Sequence, residues 1–251
     1  MADVPVGIVL SGGLDSSLVA AVAHEAAQRA EQPVPECWTV AESEDNPDWK
    51  AAEVVASHHD LVHHQHLLEP AAFEKRLPKL AWHGEDADVT VMFFHPLFEH
   101  MANHVKVGLC GQGADELHAG YPRYGALADH GRTLKQRMDA LPDHLNAALL
   151  NGGLTPEQGW YKSKHDPKAI TNDLQTMLNF ELEHGQLSNF QLRLVDRHSM
   201  AHSLEVRVPF LGSDHRAASY GLPEEWKRGA DRDEKAALRK AADLTQLPKE
   251  I

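Results

Sequence analysis

Ser11-Gly12-Gly13-Leu14-Asp15-Ser16-Ser17 is the stretch of this chain that predicts most about its fold. It follows an apolar run, residues 6–10 (VGIVL), of the kind found in strands buried on both faces of a parallel sheet. The alanine-rich residues 18–30 then predict a helix with Leu18, Val19 and Val22 on one face. A strand, a glycine-containing loop and a helix in this order direct backbone N–H groups and the positive end of the helix dipole at one point. The pattern therefore predicts a phosphate-binding loop.

The type of phosphate loop follows from what surrounds the two glycines. A kinase-type P-loop needs a lysine after its second glycine, and none follows here. A dinucleotide-binding fingerprint needs spaced glycines, whereas Gly12 and Gly13 are adjacent. The pattern S-G-G-x-D-S instead resembles the PP-loop of ATP pyrophosphatases, enzymes that cleave ATP between its α and β phosphates and adenylate a substrate. The alternative is a glycine turn whose serines cap the helix.

Composition narrows the class of protein. A chain of 251 residues fits one large domain or two small ones, and 42% hydrophobic with 24% charged residues is usual for a globular protein. Apolar runs stay well below the ~18 residues of a membrane span, and no basic-then-apolar leader opens the chain. Only two cysteines are present, Cys37 and Cys110, which argues against a disulfide framework and predicts a cytoplasmic protein.

The net charge of −13 bears on possible partners. A nucleic-acid surface requires clustered Lys and Arg, so we expect no nucleic-acid partner. A magnesium–nucleotide substrate remains compatible, because carboxylates hold magnesium and the metal screens the phosphates. No membrane partner is expected, and the sequence leaves the oligomeric state open.

The chain has eighteen histidines, five of which fall in residues 58–66 (HHDLVHHQH). A metal site is one interpretation, but zinc ligands are usually spaced sets supported by cysteine or carboxylate. On an alternating strand His64 and His66 share a face and His63 points the other way. We interpret these histidines as solvated or hydrogen-bonded side chains.

The first half of the chain, residues 1–125, alternates strands and helices. Further strands are predicted at 36–40, 62–68 and 106–109, and helices at 48–58, 70–83 and 89–103. This alternation predicts a doubly wound α/β fold with a mostly parallel sheet, whose ligands bind at the carboxyl ends of the strands. Residues 126–251 are expected to be mainly helical, at 127–150, 170–183 and 187–203, and to pack on the sheet within the same domain.

Two further motifs contain polar groups of the kind that bind ligands or take part in catalysis. Residues 110–124 (CGQGADELHAGYPRY) follow a predicted strand, and Gly111 and Gly113 would let the backbone approach a ligand beside Asp115 and Glu116. The alternative is a strand-to-helix turn with acidic caps. Residues 196–211 (DRHSMAHSLEVRVPFL) end a helix in a short extended segment.

These three motifs in this order resemble the synthetase domain of glutamine-dependent asparagine synthetases, in the PP-loop superfamily, over residues 5–251. The resemblance implies that ATP and aspartate form a β-aspartyl adenylate, which ammonia attacks to give asparagine, AMP and pyrophosphate. It implies that Mg²⁺ is held at Asp15 and Asp115 and that Lys235 contacts phosphate during adenylation. It also assigns a pyrophosphate loop (Ser11, Gly12, Gly13, Asp15, Ser16 and Ser17) and adenosine contacts (Leu10, Val40, Cys110 and Gly111).

Three positions depart from that family. Gln112 replaces a glutamate thought to assist amide formation, and a glutamine cannot accept a proton at neutral pH. Glu116 or Glu205 could supply the base instead. Val91 and Phe93 replace a threonine and an arginine, which weakens the expectation that the bound acid is aspartate.

The two ends also differ from the usual form of the family. The sequence starts close to the first strand and residue 2 is alanine, so we expect no glutaminase domain, which would need an N-terminal cysteine. Free ammonia or a separate glutaminase chain would then supply nitrogen. Relatives continue beyond the position of Ile251 into a basic, aromatic segment. The sequence is therefore either a fragment or a member of a branch of the family that has no such segment.

Three functional hypotheses result from the sequence. The first is an asparagine-synthetase-type ligase. The second is a ligase or cyclase of the β-lactam-synthetase kind, which activates another carboxylate. The third is a nucleotide-binding pseudoenzyme or partner subunit. The presence of Asp15, Asp115 and Lys235 argues against it, because a protein that does no chemistry needs no site for magnesium and pyrophosphate.

Overall fold

A five-stranded parallel sheet forms the centre of the molecule in the computed structural model, which describes residues 2–85, 93–145, 173–183, 185–229, 234–245, 247–248 and 251. The strand order is β3-β2-β1-β4-β5, and every neighbouring pair is parallel. The strands are β1 (Val6–Val9), β2 (Glu36–Ala41), β3 (His63–Leu67), β4 (Val107–Leu109) and β5 (Glu205–Arg207). The predicted α/β fold is confirmed.

Helices cover both faces of this sheet, as a doubly wound fold requires. The α-helices are α1 (Leu14–Arg29), α2 (Pro47–His58), α3 (Pro70–Gly84), α4 (Phe94–Ala102), α5 (Ala114–His118), α6 (Leu127–Asp139), α7 (Leu174–Glu183), α8 (Leu192–Met200), α9 (Ser213–Tyr220), α10 (Glu224–Lys227) and α11 (Ala236–Ala242). Short 3₁₀ turns lie at Pro122–Gly125 and Pro209–Leu211, and one π-helical turn lies at Leu187–Gln191. No helix in the described ranges combines the length and the apolar character that crossing a bilayer demands.

The alternation of side chains along the strands creates two separate cores. On one face Ile8 and Cys37 pack with residues of α1, α2, α5 and α11, including Leu18 and Leu238. On the other face Trp38 packs with residues of α4 and α8. A third cluster, Ala119, Tyr124, Leu174, Met177 and Leu178, joins α7 to the turn that follows α5.

Helix α1 begins earlier than the sequence pattern indicated. It starts at Leu14 rather than Leu18, so Asp15, Ser16 and Ser17 belong to its first turn. The prediction placed these residues in the loop because serine and aspartate have low propensity for helix interiors, although they suit a first turn. Of the three residues predicted on one face of this helix, Leu18 and Val19 are buried, whereas Val22 is 53% exposed.

The second half of the chain contributes the fifth strand of the sheet. The predicted extended segment around Glu205 is β5, which pairs with β4. The predicted helix at 187–203 begins with the π turn and ends at Met200. The helix predicted from 127 runs to Asp139, and the predictions for 89–92, 146–150 and 170–172 lie outside the described residues. The division at residue 125 stays a prediction.

The strand histidines alternate between the two faces of the sheet, as predicted. His64 stacks on Trp38 with ring centroids 4.5 Å apart and lies 2.6 Å from Glu36 Oε2. His63 lies on the opposite face, where its Nε2 is 2.7 Å from Thr39 Oγ1. These side chains therefore have polar partners within the sheet.

Candidate active site

Gly12 gives the loop between β1 and α1 its shape. Its φ is +76°, in the left-handed region, and a Cβ there would lie 2.3 Å from the backbone nitrogen of Ala52 in α2. Any side chain at this position would therefore be both strained and in collision with backbone. Gly13 is the N-cap of α1, and no side chain caps this helix end. The first-turn N–H groups of α1 thus remain available to an anion.

The serines of the loop bond mainly to one another. Ser16 Oγ accepts a hydrogen bond from the Ser11 backbone N–H at 3.1 Å and donates to the Gly13 carbonyl at 3.1 Å. The Ser11 and Ser16 hydroxyls lie 3.0 Å apart. Ser17 Oγ is buried and has no hydrogen-bond partner among the described residues. Ser16 therefore stabilises the loop, and Ser11, which is exposed, faces solvent at its mouth.

Lys235 joins the two sequence-predicted aspartates. Its Nζ lies 2.6 Å from Asp15 Oδ2 and 2.6 Å from Asp115 Oδ1. Lys235 precedes α11 with a φ of +59°, while the aspartates are in the first turns of α1 and α5. Gly120 makes room for this contact, because a Cβ there would lie 2.0 Å from Asp115 Oδ1 and 2.1 Å from Lys235 Cε. Three separate elements thus bring one cation and two carboxylates together.

Burial and neighbouring charges shift the pKa values of Asp15 and Lys235 in opposite directions. Burial raises the pKa of Asp15 from 3.8 to about 6, and the Lys235 ammonium opposes the rise. Burial lowers the pKa of Lys235, but the two carboxylates outweigh it, so the net shift is upward. Asp15 Oδ1 is buried and accepts no hydrogen bond from a described residue. The Asp15 carboxylate therefore has an unused oxygen in a place that favours a further cation.

This group fits Mg²⁺ held together with a nucleotide. Magnesium is usually bound by one or two carboxylates, substrate phosphates and water rather than by a cage of protein ligands. Asp15 and Asp115 supply two carboxylates, and the Lys235 ammonium already lies between them as a cation. Over the described part of the chain, no group of three or more His, Cys, Asp or Glu side chains is arranged to hold a metal. A metal here would thus depend on phosphate oxygens.

The loop after β4 packs directly on the first turn of α1. A Cβ at Gly111 would lie 3.0 Å from the Ser16 nitrogen, and Gly113 has a φ of +93° with Leu211 against it. Burial raises the pKa of the Cys110 thiol to about 11, so this thiol is protonated and unreactive at neutral pH. The two predicted loops therefore meet at the carboxyl end of the sheet.

The side chain of Leu10 is buried and that of Val40 is partly buried. The Leu10 side chain is in the core, its N–H donates to the Trp38 carbonyl, and its own carbonyl accepts from Thr39 Oγ1 at 2.6 Å. Val40 is partly buried against the core on the other face of the sheet. Their contacts with adenosine stay a prediction.

The two candidate bases lie in very different surroundings. Glu116 is completely buried, and burial raises its pKa to about 7. Glu205 is exposed on β5, where Arg207 Nε donates to it at 2.7 Å and lowers its pKa. Glu116 alone therefore changes protonation near neutral pH. Gln112, which precedes both of them in the chain, is partly buried.

Sequence reasoning missed the residues that surround Tyr121, which Arg123 and Gln191 contact. Tyr121 and Arg123 are within the second motif, yet nothing in their spacing indicated a role. Gln191 lies 70 positions after Tyr121 in the chain and donates a hydrogen bond to the Tyr121 hydroxyl. Phe93 is 38% exposed beside Phe94, and Val91 lies outside the described residues.

The chain matches the family model described as Asparagine synthase over residues 1–251. The chain belongs to the asparagine synthase family. This is a family of ligases that form carbon–nitrogen bonds.

Several curated relatives of the family resemble the chain. Asparagine synthetase [glutamine-hydrolyzing] 1 of Bacillus subtilis is 28% identical and aligns with 96% of this chain but 44% of its own length. The glutamine-hydrolyzing asparagine synthetases of Rattus norvegicus and Homo sapiens are 29% and 28% identical, over 100% of this chain and 38% of their own length. The chain thus spans about two fifths of the length of these relatives.

Proposed function

We propose that this chain is an ATP-dependent amide-forming ligase of the asparagine synthetase type. In this proposal it adenylates aspartate with ATP and transfers ammonia to the adenylate, giving asparagine, AMP and pyrophosphate. The contact of Lys235 with Asp15 and Asp115 is the observation that carries the proposal. Such a group suits a reaction in which negative charge collects on departing pyrophosphate.

Each residue of the site has a proposed role. The first-turn N–H groups of α1, with Ser11, Gly12, Gly13, Ser16 and Ser17 around them, bind the β and γ phosphates. Asp15 and Asp115 hold Mg²⁺, which would neutralise phosphate charge when bound. Lys235 stabilises the charge that develops as the α–β phosphate bond breaks. Leu10, Val40, Cys110 and Gly111 border the adenosine.

The proposed amide-forming step needs a proton acceptor. Gln112 cannot be one, although its amide can donate or accept a hydrogen bond. Glu116 is the better candidate than Glu205, because a base with a pKa near 7 is matched to neutral pH. Nitrogen comes from ammonia, free or supplied by a separate glutaminase chain, and we place the reaction in the cytoplasm.

The identity of the acid is the least supported part of the proposal. Phe93 offers an exposed aromatic ring rather than a cation for a second carboxylate of the substrate. A β-lactam-synthetase-like enzyme that activates a different acid is therefore the second candidate.

ATP–pyrophosphate exchange with aspartate and a panel of other carboxylic acids tests the proposal. We expect exchange with aspartate, and we expect Asp15→Asn to abolish it because Mg²⁺ and Lys235 lose a carboxylate. Asp45→Asn is the control, since that carboxylate is exposed and contacts only Lys50 in the described structure. Exchange with another acid alone would support the second candidate. ATP binding without exchange for any acid would support a pseudoenzyme or partner subunit.

A further inference from the structure

Thr39 on β2 connects the sheet to the beginning of the phosphate loop. Its hydroxyl donates a hydrogen bond to the Leu10 carbonyl at 2.6 Å, and the Leu10 N–H donates to the Trp38 carbonyl at 2.9 Å. Strand β1 ends at Val9, so Leu10 is the residue at which the chain leaves the sheet. Both Thr39 and Leu10 are buried, so water does not compete for the bond between them. The Thr39 side chain thus extends the pairing of β1 with β2 by one hydrogen bond.

The peptide between Leu10 and Ser11 is held at both of its polar atoms. Thr39 donates to its carbonyl oxygen, and its N–H, which belongs to Ser11, donates to Ser16 Oγ at 3.1 Å. Two such bonds fix the orientation of the whole peptide, because a peptide is planar and turns as one unit. The next residue, Gly12, packs against the backbone of α2. The path of the loop is therefore set by Thr39 on the side of the sheet and by α2 on the side of the helices.

His63 on β3 fixes the direction of the Thr39 hydroxyl. His63 Nε2 lies 2.7 Å from Thr39 Oγ1. The hydroxyl hydrogen of Thr39 is already donated to the Leu10 carbonyl, so the Thr39 oxygen accepts and His63 Nε2 donates. Burial lowers the pKa of His63, which favours a neutral ring with its hydrogen on Nε2. A chain of two hydrogen bonds thus runs from the edge strand β3 to the start of the loop.

A second pair of hydrogen bonds ties this face of β3 to α2. Gln65 Nε2 donates to Glu53 Oε1 at 3.0 Å, and Trp49 Nε1 donates to the same oxygen at 3.2 Å. His63 and Gln65 are two positions apart on a strand, so they share a face. The Glu53 charge also acts on His63 and opposes the fall of its pKa. The strand that holds His63 is therefore bound to the same helix that packs on Gly12.

We propose that Thr39, oriented by His63, is a positioning residue for nucleotide binding. It keeps the peptide between Leu10 and Ser11, and with it the phosphate loop, in the conformation that binds ATP, and it needs no contact with the nucleotide. This inference rests on the proposed function, in which the loop binds the phosphates of ATP. It also gives a role to one histidine of the segment 58–66.

Loss of the Thr39 hydroxyl should weaken nucleotide binding. The Leu10 carbonyl would then be buried without its side-chain partner, which favours other orientations of the peptide. The apparent affinity for a ligand falls in proportion to the fraction of the protein in the binding conformation. The expected effect is therefore on binding rather than on the chemical step.

Calorimetric titration of the full chain with ATP and Mg²⁺ tests the proposal. We expect Thr39→Val, which removes the hydroxyl at nearly constant shape, to raise the dissociation constant for ATP about tenfold. Thr39→Ser keeps a hydroxyl and should bind ATP like the unaltered protein. His63→Leu should raise the dissociation constant by a smaller factor than Thr39→Val, and His63→Gln, which keeps an N–H donor, should restore it. The His63 variants test the same chain of bonds if Thr39→Val does not fold.

Thr245→Val is the matched control for the removed hydroxyl. The Thr245 hydroxyl also donates to a backbone carbonyl, that of Ala242 at 2.9 Å, and Thr245 lies beyond the end of α11. This variant should leave the dissociation constant for ATP unchanged.

Two readouts separate positioning from a loss of folded protein. A folding defect lowers the number of binding sites per chain, whereas a positioning defect raises the dissociation constant at an unchanged number of sites. In ATP–pyrophosphate exchange, Thr39→Val should raise KM for ATP while KM for the acid and kcat change less than about twofold.

Three outcomes would overturn the positioning role. An unchanged dissociation constant in Thr39→Val would show that the loop keeps its conformation without the hydroxyl. An equal rise in Thr39→Ser would show that the hydroxyl is not the cause, and a fall in the number of sites alone would show a role in folding. If the unaltered protein binds no ATP, the proposed function fails together with this inference, whereas equal binding by Thr39→Val and the unaltered protein removes this inference alone.

Discussion

A single lysine side chain contacts both carboxylates of the candidate site. Lys235, Asp15 and Asp115 carry one positive and two negative charges in a group that is mostly shielded from water. Shielded charges of like sign repel strongly, and the ammonium between the two carboxylates offsets that repulsion. Lys235 thus acts on the stability of the protein as well as on the proposed chemistry.

Replacing this lysine should destabilise the protein in the absence of magnesium. We expect Lys235→Met to reduce the free energy of unfolding by about 2–4 kcal/mol, because it leaves two partly buried carboxylates without the ammonium that contacts both of them. Added Mg²⁺ should recover part of the loss by occupying the place of the ammonium. Urea unfolding with and without Mg²⁺ measures both effects.

Lys240→Met on the same helix provides the control for that experiment. Lys240 is exposed and lies 3.8 Å from the equally exposed Asp243, so its removal should change stability little. Equal stability of Lys235→Met and the unaltered protein without Mg²⁺ would contradict the proposed counterion role.

At the scale of elements, the loop between β1 and α1 is shaped by helix α2. The backbone of Gly12 lies against that of Ala51 and Ala52, while Gly13 meets only the Ser11 hydroxyl at 3.6 Å. Glycine is therefore required at position 12 but not at position 13, and the sequence alone does not distinguish the two.

Gly12→Ala should be strongly destabilising and Gly13→Ala nearly neutral. The first substitution combines a positive φ with a Cβ 2.3 Å from backbone that cannot move away, so we expect a loss of about 2–4 kcal/mol. The second places a Cβ in ordinary contact at an extended backbone position and should cost less than about 1 kcal/mol. Thermal unfolding of both variants checks this, and similar losses would count against the described packing.

At the scale of the whole molecule, histidines join the helices on one face of the sheet. The His95 and His202 rings are 4.4 Å apart, with His202 Nε2 at 3.3 Å from His95 Nδ1, and His198 and His83 are each 5.7 Å from His95. Burial lowers the pKa of His95 from 6.5 to about 4, and it also lowers the pKa of His198 and of His202. Arg76 and Lys79 on α3 and Glu99 on α4 are the other charges nearby.

Acid should therefore weaken the packing of α3, α4 and α8. Because the pKa of His95 is lower in the folded protein, the unfolded chain binds protons first, and stability falls as pH decreases from about 6.5 to about 4. His95→Gln should remove about 1–3 kcal/mol of that decrease. Exposed His144 offers the control, His144→Gln. Denaturant unfolding across this pH range measures the slopes, and equal slopes for His95→Gln and the unaltered protein would contradict the assignment.

Much of the architecture was predictable because its signals are local. Apolar runs such as residues 6–10 and the alternation of strands and helices indicated a parallel sheet, and the sheet is parallel throughout its five strands. The strand at Glu205 and the π turn at Leu187 were not predicted as such, because a three-residue strand and one wide turn have no periodicity of their own.

By itself the sequence determined the kind of loop this protein contains, since Ser11 to Ser17 is a local pattern of glycines and capping residues after an apolar strand. Only the tertiary structure decided what the loop faces. Lys235 is 220 positions from Asp15, yet its ammonium contacts Asp15 and Asp115, and Gln191 reaches Tyr121 from another helix. Contacts at such separations depend on how whole elements pack, because burial and register direct each side chain, and no short stretch of sequence contains that information.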